Sequence, residues 1–176
     1  CNNQCTYCTE SLTFSGGVRF HSADYALKNI ELLINKYKCS GIAFLDNNFL
    51  ADRNFAEEIF KRIIQKRLNE KAVFHIQARA SDMDEDIAKL MKKANFINVE
   101  FGLESDNQEI LDKVNKNVSI SASEKAVKIC KENGISVQAN LMMGFEGETI
   151  KSLDTMLRWV KKLKPDNFIW SQLVLY

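Results

Sequence analysis

Three of the five cysteines fall within the first eight residues, CNNQCTYC, at Cys1, Cys5 and Cys8. The spacing C-x3-C-x2-C stops one ligand short of a structural zinc site, which closes with four and is usually built from paired C-x2-C units. Cys39 and Cys130 are the remaining thiols, and each has a quieter explanation. Cys130 lies on the apolar stripe of a helical segment, and Cys39 directly precedes a strand, where any small apolar residue would serve. Inert thiols scatter through a core rather than gather at one end. Spacings of three and two residues let a loop wrap a compact cubane, and an iron–sulfur cluster held by three thiolates leaves one iron open to chemistry. The missing fourth ligand is then a substrate position. A cluster or metal serving only electron transfer or structure uses the same three thiols, and both readings stand at this point.

Other chemistry-bearing residues sit at strand ends. Five apolar runs read as strands: Ile42–Asp46, Val73–Arg79, Asn98–Glu104, Ser136–Gly144 and Asn167–Leu175. Helical periodicity fills the intervals, with Leu27, Ile30, Ile34 and Tyr37, then Ile87, Leu90, Met91 and Ala94. Ala126, Val127 and Cys130 follow, and then Ile150, Leu153, Leu157 and Val160. Ser121 with Glu124, and Asp82 with Glu85, are capping patterns, Gly134 fits a helix stop, and Ser105 fits an N-cap for a helix over Asn107–Val114. Strand–helix–strand units of roughly 25 to 40 residues predict parallel strands joined by right-handed crossovers. The chain therefore reads as one α/β domain.

Period 2 decides which α/β fold. His75, Gln77 and Arg79 share one face, opposite Phe74, Ile76 and Ala78. Asn98, Glu100, Gly102 and Glu104 oppose Val99, Phe101 and Leu103, and Gln138 and Asn140 oppose Val137, Ala139 and Leu141. A doubly wound sheet carries helices on both faces and needs near-continuous apolar strands. One apolar and one polar face instead predict an open parallel (βα) barrel with a polar lumen. Asp46, Arg79, Glu104 and Gly144 would lie on its C-terminal rim, where parallel barrels build their sites. Gln77, Asn140 and Gln172 would face the lumen, as substrate contacts or as satisfied amides.

Composition narrows the class. In 176 residues the formal net charge is +1 and no block of like charge stands out, which argues against a nucleic-acid-binding tail or a polybasic membrane patch. No apolar run is long enough to span a bilayer, and no signal-peptide pattern is present. An odd number of cysteines in a chain of this size points to a reducing, cytoplasmic compartment rather than a disulfide scaffold.

The cysteine motif, with Tyr7 at the aromatic position of C-x3-C-x-aromatic-C, resembles the cluster loop of radical S-adenosylmethionine (SAM) enzymes. The stretches RFHSADYALKNIELLINKY, GIAFLDNNFLADRNFAEEI, HIQARASDMDEDIAKLMKKANFINVEFGLESDNQEILDKVNK and GISVQANLMMGFEGET are similar to successive stretches of the cobalamin-associated group, with methylthiotransferase domains second. The resemblance implies a partial, TIM-barrel-like fold of about five to six βα units. It implies a 4Fe-4S cluster on Cys1, Cys5 and Cys8, with SAM chelating the fourth iron through its amino and carboxylate groups. Tyr7 would lie near the adenine, and Asp46-Asn47-Asn48 stands where many relatives carry a glycine-rich stretch that meets the SAM amino group. Arg79 would pair with the SAM carboxylate. Glu104 and Ser105 match the ribose or amino-group contact, and Met143-Gly144 the backbone approach to adenine. The implied reaction is one-electron cleavage of SAM to methionine and a 5′-deoxyadenosyl radical, which abstracts hydrogen from a substrate. An electron donor such as flavodoxin or ferredoxin is the implied partner.

Departures from the family pattern shape the remaining expectations. Relatives place a strand immediately before the first cysteine, so the first barrel strand is expected to be missing and Cys1 to lie on a free terminus. Cobalamin, if used, would be held by a domain outside this chain, and relatives continue past the position of Tyr176. Glu146 of GFEGET stands where proline is common. The chain is expected to be the core of a larger enzyme.

Overall fold

Sequence order and spatial order coincide in the sheet. In this computed structural model, which describes residues 1, 3–10 and 18–174, five parallel strands lie in the order β1-β2-β3-β4-β5. The elements are α1 (Ala23–Asn35), β1 (Gly41–Ala43), α2 (Arg53–Gln65), β2 (Val73–Ala78), α3 (Glu85–Lys93), β3 (Phe96–Glu104), α4 (Gln108–Lys113), α5 (Ile120–Glu132), β4 (Ser136–Met143), α6 (Ile150–Leu163) and β5 (Asn167–Gln172). A doubly wound sheet reverses its strand order at a switch point. This one never reverses, so each crossover returns in the same direction and the sheet forms an open partial barrel with helices on its outer face.

The two faces divide as the alternation predicts. Phe74, Ile76 and Ala78 of β2, Val99, Phe101 and Leu103 of β3, and Val137, Ala139 and Leu141 of β4 are buried. They belong to one core with Ile59, Phe60 and Ile63 of α2, Ile87 and Met91 of α3, Val127 and Cys130 of α5, and Met156 and Val160 of α6. Phe96 lies at the heart of an aromatic cluster, with ring centroids 4.7 Å from Phe60 and 5.0 Å from Phe74. On the other face His75, Gln77, Glu100, Gln138 and Asn140 are only partly buried. His75 Nε2 lies 3.1 Å from Glu100 Oε1, and Asn140 donates to Glu100 Oε2 at 3.4 Å while its own oxygen accepts from Gln138. Among the described residues, no helix is long and apolar enough to cross a membrane.

Several boundaries differ from the sequence reading. β1 ends at Ala43, well before Asp46. Phe44 still donates to His75 O (2.9 Å) but turns its ring onto Phe49 and Phe96, so the chain leaves the sheet and Leu45, Asp46 and Asn47 are exposed. The cap of α5 is Ser119, which accepts from Ala122 N, so Ser121 lies inside the helix. Asp84 rather than Asp82 caps α3, and Asn107 rather than Ser105 caps α4. Ser105 sits one step outside, buried, with its hydroxyl accepting from Asn107 N at 3.2 Å. Gly134 (φ +66°) stops α5 as expected. Leu175, the expected end of the last strand, lies outside the described residues; β5 ends at Gln172.

Candidate functional site at the C-terminal rim

The cysteine loop rests on the turn that follows α4. Thr6 N–H donates to Val114 O (3.0 Å), and the Cys5 thiol points at Asn115 O (3.7 Å). Asn115 (φ +53°) and Asn117 (φ +51°) are both left-handed, a conformation that asparagine adopts more readily than most residues. Arg79, 7 % exposed, crosses from the end of β2 to the same turn. Its Nη2 donates to the carbonyls of Lys116 and Asn117. Its Nε and Nη1 donate to the amide oxygen of Asn3 at 3.0 and 3.1 Å. Four of the five guanidinium N–H donors thus bind the cysteine loop to its seat. Cys5 is buried, Cys8 partly buried and Cys1 exposed.

Glu104 ends β3 in a strained turn. Its φ is +64°, and Ser105 N–H closes onto Leu103 O at 2.9 Å. An i to i+2 bond around a positive φ is the rare form of γ-turn, at a cost of about 1–3 kcal/mol for a non-glycine residue. The turn tips the carboxylate, 8 % exposed, onto Lys116 Nζ (2.9 Å) and Tyr7 Oη (3.2 Å). Lys116, 7 % exposed, also reaches Tyr7 Oη at 3.2 Å. Burial first, and then the Glu104 charge, push the Tyr7 phenol far above its ordinary range, so it is a proton donor at any working pH. A Cβ on Gly102 would stand 2.5 Å from Glu104 Oε1 and 2.9 Å from Lys116 Nζ. Any larger residue there would push the tips of this pair aside.

The flanking loops complete the rim. Asn48, buried at the head of the segment after β1, accepts from Arg79 N (3.2 Å) and donates to Asp82 Oδ2 (2.7 Å). Asn47 bonds Glu10 of the cysteine loop (3.1 Å), and Asp46 is exposed. After β4, Gly144 has φ +100° and faces Leu173, whose N–H donates to Met143 O (2.8 Å). Glu148 Oε2 accepts from the N–H groups of Gly144 (2.6 Å) and Phe145 (3.0 Å), tying the GFEGE turn into a knot. Phe145 meets Tyr7 edge to face at 5.7 Å. Beside this pair lies a cavity of about 340 Å³ lined by Tyr7, Cys8, Ile110, Phe145, Leu173 and Val174, among others.

The cysteines of the loop are soft donors, the kind that both zinc and iron–sulfur clusters take. Among the described residues, no three cysteine, histidine or carboxylate side chains stand close enough together to hold one metal ion. Zinc draws its thiolates to about 2.3 Å around one centre, whereas each thiolate of a cubane holds a different iron and the set spreads. Cys130 is buried in the helix layer, where desolvation pushes its thiol up to about 12, so it is no fourth ligand.

The family model of the radical SAM superfamily matches residues 1–160. The chain belongs to the radical SAM superfamily. A 4Fe-4S cluster and SAM are the cofactors that membership implies. An uncharacterised methyltransferase of Pyrococcus horikoshii is 30 % identical over 166 residues, which are 94 % of this chain and 36 % of that protein. The anaerobic magnesium-protoporphyrin IX monomethyl ester cyclase of Rubrivivax gelatinosus is 27 % identical over 97 % of this chain and 31 % of its own length. In fold, the chain matches a radical SAM methyltransferase of Kitasatospora setae, solved with cobalamin and a 4Fe-4S cluster, with a TM-score of 0.88 at 20 % identity. That match covers 99 % of this chain and 35 % of the other. The radical SAM chain thus spans about a third of the length of these relatives.

Of the residues that the sequence singled out, the radical SAM core gathers Cys5, Cys8, Tyr7, Arg79 and Glu104 around one seat, with Ser105 beside it. Met143 and Gly144 close the far side, while Asp46 stands apart. Gly102, Lys116 and Glu148 were missed as site residues. The signal for Lys116 was present in the N-K-N triplet, since flanking asparagines mark a turn that aims one side chain inward.

Proposed function

We propose that this chain is the SAM-cleaving core of a radical SAM enzyme of the cobalamin-associated group. One arrangement carries the proposal: the loop of three cysteines is seated on the same rim as the Glu104 carboxylate and the cavity lined by Tyr7 and Phe145. Cys1, Cys5 and Cys8 hold the cluster. When bound, the cluster and SAM supply one-electron cleavage of the sulfonium and a 5′-deoxyadenosyl radical for hydrogen abstraction.

The protein's own residues bind and orient. Tyr7 and the Met143-Gly144 backbone flank the adenine, and Glu104 with Ser105 accepts hydrogen bonds from the ribose or amino group. Asn47 lies on the amino-group side, and Asn48 anchors that segment to Arg79 and Asp82. Arg79 locks the cysteine loop to its seat, and its fifth N–H, without a partner among the described residues, is the donor offered to the SAM carboxylate. Gln77 and Asn140 line the lumen on the substrate side; Gln172, expected there as well, pairs with Met143 and shares the helix-covered face of β5 with Trp170. The relatives' names, a methyltransferase and a cyclase, support methyl transfer or ring formation in the whole protein, with cobalamin held outside this core. Flavodoxin or ferredoxin is the fitting electron donor, and the cytoplasm the fitting compartment.

Anaerobic reconstitution with iron and sulfide, followed by electron paramagnetic resonance with and without SAM, tests the reading. A 4Fe-4S signal that changes on adding SAM is expected. A cluster signal indifferent to SAM would overturn the enzyme reading in favour of an electron-transfer module.

A further inference from the structure

We infer that Lys116 is a positioning residue that aims Glu104 at SAM. The inference rests on the SAM-binding reading above. Among the described residues, the two side-chain donors that reach Glu104, Lys116 Nζ at 2.9 Å and Tyr7 Oη at 3.2 Å, fall on the same oxygen, Oε1. With one oxygen held twice, the carboxylate cannot rotate, and Oε2 is presented as the acceptor for an N–H or O–H of the ligand. Three independent features serve this aim. Glu104 has a positive φ, which is otherwise costly for it. Gly102 supplies the space in which the pair crosses the strand. Lys116 is buried, a position that lysine takes only with partners. Its backbone carbonyl meanwhile accepts from Arg79, so one residue fixes both the seat of the cysteine loop and the direction of the carboxylate.

The test compares the whole chain with Lys116→Met, Glu104→Gln and the double variant, each reconstituted anaerobically. Iron content, SAM dissociation constant and the resonance change on adding SAM are read for each. Lys116→Met keeps the length and apolar stem of the side chain and removes its charge together with its donors. Iron content is expected to match wild type, the SAM dissociation constant to rise roughly tenfold or more, as expected for a charged hydrogen bond, and the resonance change to shrink. Because Lys116 acts through Glu104, the double variant should bind SAM no worse than about twofold beyond the weaker single variant.

Each alternative outcome overturns the inference. Lys116→Met with wild-type affinity and resonance change does so, and so do fully additive losses, which would mean that Lys116 touches SAM itself. If Lys116→Met fails to fold, Tyr7→Phe keeps the ring and removes the hydroxyl that both donates to Oε1 and accepts from Lys116; a several-fold loss of SAM affinity is expected, and none overturns the inference. A wild-type spectrum that ignores SAM overturns the enzyme reading and this inference with it. A wild-type response matched by Lys116→Met overturns this inference alone.

Discussion

A carboxylate and an ammonium buried side by side are tolerable only together. Removing one partner leaves an uncompensated charge, at a cost of about 3–5 kcal/mol. Glu104→Ala is therefore expected to lower stability by that amount in urea unfolding, whereas Glu104→Gln, which keeps an acceptor for Lys116, should lose much less. Cys130 makes the opposite point, since burial alone raises its thiol to about 12. The thiolate is the reactive form, so Cys130 should resist a disulfide reagent at pH 8 in the native chain and react once urea unfolds it. The linked stability has a definite sign. Below about pH 9 both states are protonated and nothing is lost; as pH rises from about 9 towards 12, the unfolded chain ionises first and stability falls.

At the scale of elements, the rim is held by turns whose geometry is set at a few positions. The turn after β4 depends on Glu148, which gathers two backbone N–H groups onto one oxygen. Glu148→Ala is expected to cost about 1.5–3 kcal/mol, the range for hydrogen bonds to a charged group, and to weaken SAM binding by loosening Phe145 against Tyr7. Thermal unfolding and SAM titration of the same sample separate the two effects. Cap positions show where local patterns fell short. Ser119, Ser121 and Ser123 all offer hydroxyls near the start of α5, and the 3.6 period fits more than one start. The choice fell on Ser119 because α5 must bring Ser123, Ala126, Val127 and Cys130 onto the sheet together. The same logic moved the cap of α3 to Asp84 and freed Asp82 to hold Asn48.

Over the whole molecule, one apolar layer between sheet and helices carries the stability, and Phe96 is its densest point. Phe96→Ala is expected to cost about 3–5 kcal/mol, visible as a lower urea midpoint with little change in slope. The sequence by itself determined the open parallel sheet, because strict alternation over β2, β3 and β4 permits one helix-covered face and one polar face only. It also determined the cysteine loop and the rim positions of Arg79, Glu104 and Gly144, because these follow from spacing and strand ends. Tertiary structure alone decided that Arg79 turns to the carbonyls of Lys116 and Asn117, that Lys116 comes inside to meet Glu104, and that Gly102 makes room for them. These contacts join residues 3 to 8, 79, 102 to 104 and 114 to 117, segments far apart in the chain. No local period or propensity encodes such a meeting; it exists only once the packed apolar layer has brought the strand ends to a common rim.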